Sequence, residues 1–147
     1  MNHLGIQEFF NLFSKDRMDL VEQFYDENVH FMDPMVNFKT RDELKRYYEK
    51  LYQNVDSIRF EFSAEAKEGD THIAVWKMTL TAKKFNGGKP VIVDGVSHVR
   101  FAVGEGGQEG KAVYHRDYFD MGAFVYEHVP VLSGLIRLVK KIMSGQH

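Results

Sequence analysis

The sequence predicts an α+β fold, with N-terminal helices packed on a curved antiparallel sheet and a C-terminal helical tail. Three observations carry this expectation. Apolar residues recur at helical spacing as far as Tyr52, and from Ser57 onward the period changes to two. The period-two stretches are separated by turn signals at Glu68-Gly69-Asp70, Asn86-Gly87-Gly88 and the glycine-rich run 104–110. At 147 residues the chain reads as one domain, 1–147. Such a chain can bury roughly 68–70% of the surface its unfolded form exposes.

Ile6, Phe9, Phe10 and Phe13 fall at i, i+3, i+4 and i+7, one face of a helix that Ser14-Lys15-Asp16 ends. Leu20, Val21, Phe24 and Tyr25 make a second, shorter helical stripe. Val29-His30-Phe31-Met32-Asp33 reads as a short strand with Asp33 on the face of Val29 and Phe31, and Pro34 holds Asp33 extended. Thr40-Arg41-Asp42-Glu43 spells a capping box: the Thr40 hydroxyl takes the Glu43 amide, and the Glu43 side chain returns to the cap amide. Leu44, Tyr47, Tyr48, Leu51 and Tyr52 follow at helical spacing. The three tyrosines read as core and rim packing, whose buried phenols need partners.

In the sheet region Ile58, Phe60 and Phe62 alternate with Arg59, Glu61 and Ser63. Ala74, Trp76, Met78 and Leu80 then share one face, with Lys77 and Thr79 on the other. Along 91–103, Val93, Gly95, Ser97, Val99 and Phe101 face one way, and Asp94, Val96, His98 and Arg100 the other. A last strand beginning at Lys111 puts Val113, His115, Asp117 and Phe119 on one face, and Ala112, Tyr114, Arg116 and Tyr118 on the other. Four strands joined by hairpins make an antiparallel sheet. Beyond them, Pro130 splits the apolar tail 121–147 into two short helical pieces. Leu132, Leu135, Ile136, Val139, Ile142 and Met143, beside Arg137, Lys140 and Lys141, read as a helix covering one end of the sheet, its cations complementing the helix dipole.

Composition excludes several function classes. Net charge is −2 with acids and bases mixed, so the basic stripe that nucleic acid requires is absent. There is no cysteine, which removes disulfides, thiol nucleophiles and thiolate metal sites. No apolar run reaches the ~20 residues of a membrane span, and the first residues lack the pattern of a signal peptide. A cytoplasmic protein without a membrane partner is expected. No His-x-His or His-Glu-x-x-His pattern suggests a metal site, and the run 104–110 lacks the Lys-Ser/Thr of a phosphate loop. Neither a metal nor a cofactor is expected.

The chemistry lies in carboxylates on apolar faces. Asp33 and Asp117 each share a strand face with apolar residues, and an ionisable group there must be paired, line a wet cavity or shift its pKa. If both line one cavity, burial and mutual repulsion raise at least one pKa, and a base near neutrality can take a proton beside a carbonyl. His115 can orient Asp117 or share its proton. The alternative is a hydrogen-bonded polar cluster, with Asp33 capping the turn before Pro34 and Asp117 bonding a tyrosine. Phe9, Phe13, Tyr25, Trp76, Met78, Ser97 and Phe119, from the apolar side of each element, are the candidate ligand-binding residues. Val96, His98, Arg100, Tyr114 and Tyr118 share the outer sheet face, which reads as a homodimer surface.

The order of elements resembles the nuclear-transport-factor-2-like superfamily, in particular its SnoaL-like and ketosteroid-isomerase-like members, over about residues 3–128. His115-Arg116-Asp117-Tyr118-Phe119-Asp120 looks like the last-strand segment of limonene-epoxide-hydrolase-like members. Val29-His30-Phe31-Met32-Asp33-Pro34 looks like the strand that ends in the base of ketosteroid isomerases, and Ser97-His98-Val99-Arg100-Phe101 resembles their later strand. The resemblance implies a cone with a pocket between the helices and the concave sheet face. It places Asp33 on the isomerase base, Phe9 near that family's oxyanion tyrosine, and Ser97 near its protonated acid. It places Asp117 on the hydrolases' last-strand aspartate, whose Arg and Asp partners fall where this chain carries Trp76 and Met78. Two functions follow as expectations. One is a pocket protein that binds a small apolar molecule without a complete known catalytic set. The other is a cofactor-independent isomerase, cyclase or epoxide-hydrolase-like enzyme using Asp33 and Asp117 as general acid and base.

Overall fold

Among the described residues six strands form one curved, mixed sheet, in the order β2-β1-β6-β5-β4-β3, with three α-helices against it. The computed structural model describes residues 3–83 and 86–120, and the tail expected to be helical, 121–147, lies outside them. In chain order the elements are α1 (Ile6–Leu12), α2 (Asp19–Phe24), β1 (Tyr25–Met32), β2 (Asn37–Phe38) and α3 (Arg41–Gln53). They continue as β3 (Ser57–Glu68), β4 (Thr71–Thr81), β5 (Val91–Val103) and β6 (Glu109–Phe119).

The meander β3-β4-β5-β6 is antiparallel, as the hairpin signals predict. The sheet is not four-stranded, however. β1 joins it parallel to β6, and β2 pairs antiparallel with β1. Turn chemistry reports only on strands that are neighbours in sequence. β1 and β6 are separated by α3 and the whole meander, which is the long connection a parallel pair requires.

Two local assignments change. Tyr25 does not continue the α2 stripe but has extended dihedrals (φ −102°, ψ 141°) and opens β1. Its ring is still fully buried, because the chain turns from helix to strand between two core residues. In β6, strict alternation fails at Val113. Arg100 pairs with Tyr114 and Phe101 with Ala112, so Val113 is an extra residue in a bulge. Ala112, expected on the outer face, is therefore fully buried on the same side as His115.

The core is aromatic. Phe9 stacks on Phe24 at 4.3 Å between ring centroids, and Tyr25 meets both edge-on. α3 begins as the sequence predicts, with Thr40 Oγ1 accepting the Glu43 amide at 3.2 Å. The Glu43 carboxylate reaches one residue further back than a capping box does, to the Lys39 amide at 3.4 Å. On the concave side of the sheet Trp76 lies over Gly95, its register partner on β5. A Cβ at Gly95 would sit 2.2 Å from Trp76 Cη2, so only glycine lets the indole lie flat there. On the outer face Arg100 stacks over Tyr114 at 5.0 Å and Arg116 over Tyr118 at 4.7 Å. Among the described residues no helix is long and apolar enough to cross a membrane.

Candidate functional site

A cavity of about 680 Å³, its open mouth included, lies between the helices and the concave sheet face. α3 supplies Tyr47, Tyr48, Leu51 and Tyr52 to one wall, because these positions repeat at three and four along the helix. The opposite wall comes from alternate residues of the sheet: Ile58 and Phe60 on β3, Trp76, Met78 and Leu80 on β4, and Asp117 and Phe119 on β6. Phe10 of α1, Phe31 of β1, and Asp33 and Met35 from the turn after β1 complete it.

The structure brings Asp33 and Asp117 to one cavity, together with Trp76, Met78 and Phe119. The other candidates stand elsewhere. His115 and Ser97 are fully buried behind Asp117 and do not line the cavity. Phe9 and Tyr25 belong to the helix–sheet core. Phe13 faces a separate depression beside Ser14 and Val55. On α1 it is Phe10 that meets β3, 4.7 Å from the Phe60 ring, while Phe9 is turned to α2. Sequence reading missed the α3 tyrosines as wall residues, along with Phe10, Phe31 and Phe60. The available signal was the need of a buried phenol for a partner.

Asp33 is held by both of its oxygens. Oδ1 accepts the Met35 and Val36 amides at 2.7 and 2.9 Å, and Oδ2 accepts the Tyr47 hydroxyl at 2.7 Å. It thus caps the turn after β1 and faces the cavity at once. Burial pushes its pKa above the usual carboxylate range, and the nearby charge of Asp117 adds to this. The Tyr47 hydroxyl and the two amides pull the other way without cancelling it.

Among the described residues no tyrosine bonds Asp117; its partners there are Ser97 and His115. Ser97 Oγ donates to Oδ1 at 2.6 Å, and His115 Nε2 lies 2.6 Å from the same oxygen. Ser97 in turn accepts the Trp76 indole N–H at 2.9 Å. Behind His115, Nδ1 is 2.7 Å from the Tyr25 hydroxyl, which is 2.8 Å from the Tyr48 hydroxyl. Burial raises the pKa of Tyr25, Tyr47 and Tyr48 far above that of a free phenol, so all three keep their hydrogens. Tyr52 is pushed up as well, again by burial first and then by the charge of Asp117.

The arrangement offers two acceptor carboxylates in an aromatic chamber, each with a rigid hydrogen-bonded support. Such groups can hold or exchange a proton with a bound molecule. Among the described residues no group of three or more His, Asp or Glu side chains could hold a metal ion.

The model of the SnoaL-like domain family matches residues 6–115 of the chain. No curated protein matches it. Similar solved structures include an NTF2-like protein of unknown function from Burkholderia pseudomallei, at 16% identity and a TM-score of 0.68, covering 82% of this chain and 92% of that one. A candidate SnoaL-like polyketide cyclase from Jannaschia sp. CCS1 is similar at 13% identity and a TM-score of 0.61, covering 73% of this chain and 74% of that one. A candidate isomerase of the SnoaL-like family from Agrobacterium tumefaciens is 20% identical with a TM-score of 0.56, covering 76% of this chain and 88% of that one. At these identities the structural likeness is one of fold. The family match takes in the three helices and the sheet as far as His115, short of Asp117 and Phe119, and the chain belongs to the SnoaL-like domain family, on the nuclear-transport-factor-2-like fold.

Proposed function

We propose that the chain binds a small, flat, apolar molecule in this cavity and moves a proton on it by acid–base chemistry at Asp33 and Asp117, without a cofactor. One observation carries this reading: both carboxylates open into a chamber otherwise walled by aromatic and aliphatic side chains. The raised pKa of Asp33 suits it to hold a proton and release it nearer neutrality than a free carboxylate does. Isomerisation or ring closure beside a carbonyl is the reaction class that needs this and little more. The names of two fold neighbours, a candidate cyclase and a candidate isomerase, agree with that class. Epoxide hydrolysis has less support, since no arginine is among the described residues lining the cavity.

Binding without chemistry is the second reading. It is favoured by the tyrosine hydroxyls: Tyr47 is committed to Asp33 and Tyr48 to Tyr25, so donors for an oxyanion are few. We also propose that two copies pair through the outer sheet face, where the Arg100–Tyr114 and Arg116–Tyr118 stacks offer preformed anchors.

The test uses 2-tetralone, a flat bicyclic ketone. Trp76 is the chain's single tryptophan and lines the cavity, so its fluorescence reports binding there. Saturable quenching is expected in the wild type and in Asp33→Asn and Asp117→Asn alike. Proton exchange at the carbon beside the carbonyl is expected in the wild type and lost in both variants. Quenching without exchange in the wild type would leave the binding-only reading standing. No quenching at all would remove both.

A further inference from the structure

Among the described residues, the side chains that bring nitrogen or oxygen to the cavity wall are Asp33, Tyr47, Tyr48, Tyr52, Trp76 and Asp117. Most of the hydrogens they could donate are committed. Tyr47 gives its own to Asp33, and Trp76 gives its own to Ser97. Ser97 Oγ, having accepted from the indole, sends its single hydrogen to Asp117 Oδ1, and in a neutral His115 a hydrogen on Nε2 faces the same oxygen. His115 Nδ1 is then bare and takes the hydrogen of Tyr25, so Tyr48 supplies the hydrogen of its bond to Tyr25. Tyr52 remains. Its hydroxyl has no hydrogen-bond partner among the described residues, although the residue is only 8% exposed.

Tyr52 stands one turn after Tyr48 on α3, with its ring edge-on to Tyr48 at 6.3 Å and to Phe13 at 4.8 Å. Helical side chains lean toward the N-terminus, which carries the ring over the turn of Tyr48, a cavity-wall residue. The charge of Asp117 adds to burial in raising the Tyr52 pKa, so the hydroxyl stands within reach of that charge and keeps its hydrogen. Asp117 lies on the sheet wall opposite. Both of its bonds go to Oδ1, and Oδ2 has none among the described residues. Asp33, by contrast, has both oxygens engaged. One wall thus offers an uncommitted donor and the other an uncommitted acceptor.

We propose that Tyr52 is the catalytic hydrogen-bond donor of the cavity: its hydroxyl binds the carbonyl oxygen of the bound molecule while Asp117 Oδ2 takes a proton from the neighbouring carbon. The assignment rests on the acid–base reading above. The C–H bond breaks and its proton forms an O–H bond with Oδ2. The electron pair left behind moves into the C–C bond, and the carbonyl becomes an enolate. Negative charge gathers on the oxygen that Tyr52 holds, so the bond from Tyr52 is stronger in the transition state than in the bound ketone. Tyr52 keeps its hydrogen throughout, since burial holds it as a phenol. Return of a hydrogen from Oδ2 to carbon restores the ketone and the carboxylate. Until a ligand arrives the hydroxyl goes without a bond in a largely apolar wall, a cost that the ligand oxygen relieves.

Tyr52→Phe removes the hydroxyl and keeps the ring. Without a ligand it is expected to melt at or above the wild type, because the group it loses makes no bond within the fold. With 2-tetralone carrying an isotope-labelled carbonyl, infrared difference spectra should show the band of the bound ketone lowered from its place in an apolar solvent. In Tyr52→Phe the band should return to that place, and in Tyr48→Phe it should not. Proton exchange should fall on the order of 10²–10³ in Tyr52→Phe, while the dissociation constant from Trp76 quenching rises by no more than about tenfold. A variant that melts well below the wild type would overturn the proposal, since the hydroxyl would then be bound within the fold. So would a bound-ketone band that Tyr52→Phe leaves in place, a band that Tyr48→Phe returns instead, or wild-type exchange that survives Tyr52→Phe undiminished. A wild type that binds the ketone without exchange removes the acid–base reading, and a band that still answers to Tyr52→Phe then keeps Tyr52 as the donor to the ligand.

Discussion

Replacing Gly95 with alanine tests the geometry that holds the cavity's floor. The new Cβ would lie 2.2, 2.5 and 2.6 Å from Trp76 Cη2, Cζ2 and Cζ3. Carbon atoms in contact sit about 3.5–4.0 Å apart, so the indole must retreat by more than about 1 Å. It has little room to do so. Phe60 meets its ring edge-on at 5.2 Å, and Ser97 holds its N–H at 2.9 Å. Overpacking of this kind costs about 1–3 kcal/mol, and losing the indole hydrogen bond about 0.5–1.5 kcal/mol. Alanine restores about 0.4–1 kcal/mol by restricting the unfolded chain. The net destabilisation is about 0.5–4 kcal/mol, which for a chain of this length lowers the melting temperature by roughly 2–16 °C. The assay is thermal melting with tryptophan emission, which reports Trp76 alone because the chain has one tryptophan. Emission should shift to the red as the ring leaves its buried place. Adding Trp76→Phe should relieve the clash, so the two costs should be less than additive. If Gly95→Ala melts with the wild type and leaves the emission unmoved, the pairing of Trp76 with Gly95 is wrong, and the inward face of β4 with it.

Three further outcomes are expected. Because burial raises the pKa of Asp33 on folding, the folded chain binds that proton more tightly than the unfolded one. Stability therefore falls as pH rises from the ordinary carboxylate range through the raised value. Asp33→Asn keeps an acceptor for the Met35 and Val36 amides, so its melting curve should lose that part of the pH slope while the fold stays intact; strong destabilisation at every pH would mark Asp33 as structural only. Thr40→Ala should cost about 1 kcal/mol in denaturant titration through loss of the α3 cap, and a change under a few tenths would show the cap to be unimportant. Light scattering at micromolar concentration should give twice the 17.1 kDa chain mass, and Tyr118→Glu should return it to one; a wild-type monomer would exclude the outer-face dimer.

The inward sheet faces were legible because β4 and β5 alternate without interruption, which put Trp76, Met78 and Ser97 on the correct side. The same reasoning failed at Ala112, since a bulge adds a residue without changing composition. Helical spacing revealed the Tyr47, Tyr48 and Tyr52 stripe but not that it faces open space, because periodicity shows which residues share a face and not what that face meets. Phe9 and Phe10 belong to one stripe, and only packing against α2 and β3 separates core from cavity wall. The parallel pairing of β1 with β6 and the bonds from Tyr47 to Asp33 and from Tyr25 to His115 join distant segments, for which local sequence carries no signal.

Deuterium uptake by 2-tetralone in heavy water, followed by proton magnetic resonance, tests most directly whether the two carboxylates move protons. The wild-type chain is expected to accelerate exchange beside the carbonyl over buffer. Asp33→Asn and Asp117→Asn, while still quenched by the ketone, should each lose on the order of 10²–10⁴ of that acceleration. Exchange no faster than in buffer, under conditions where Trp76 fluorescence shows the cavity to be filled, would contradict acid–base function at Asp33 and Asp117.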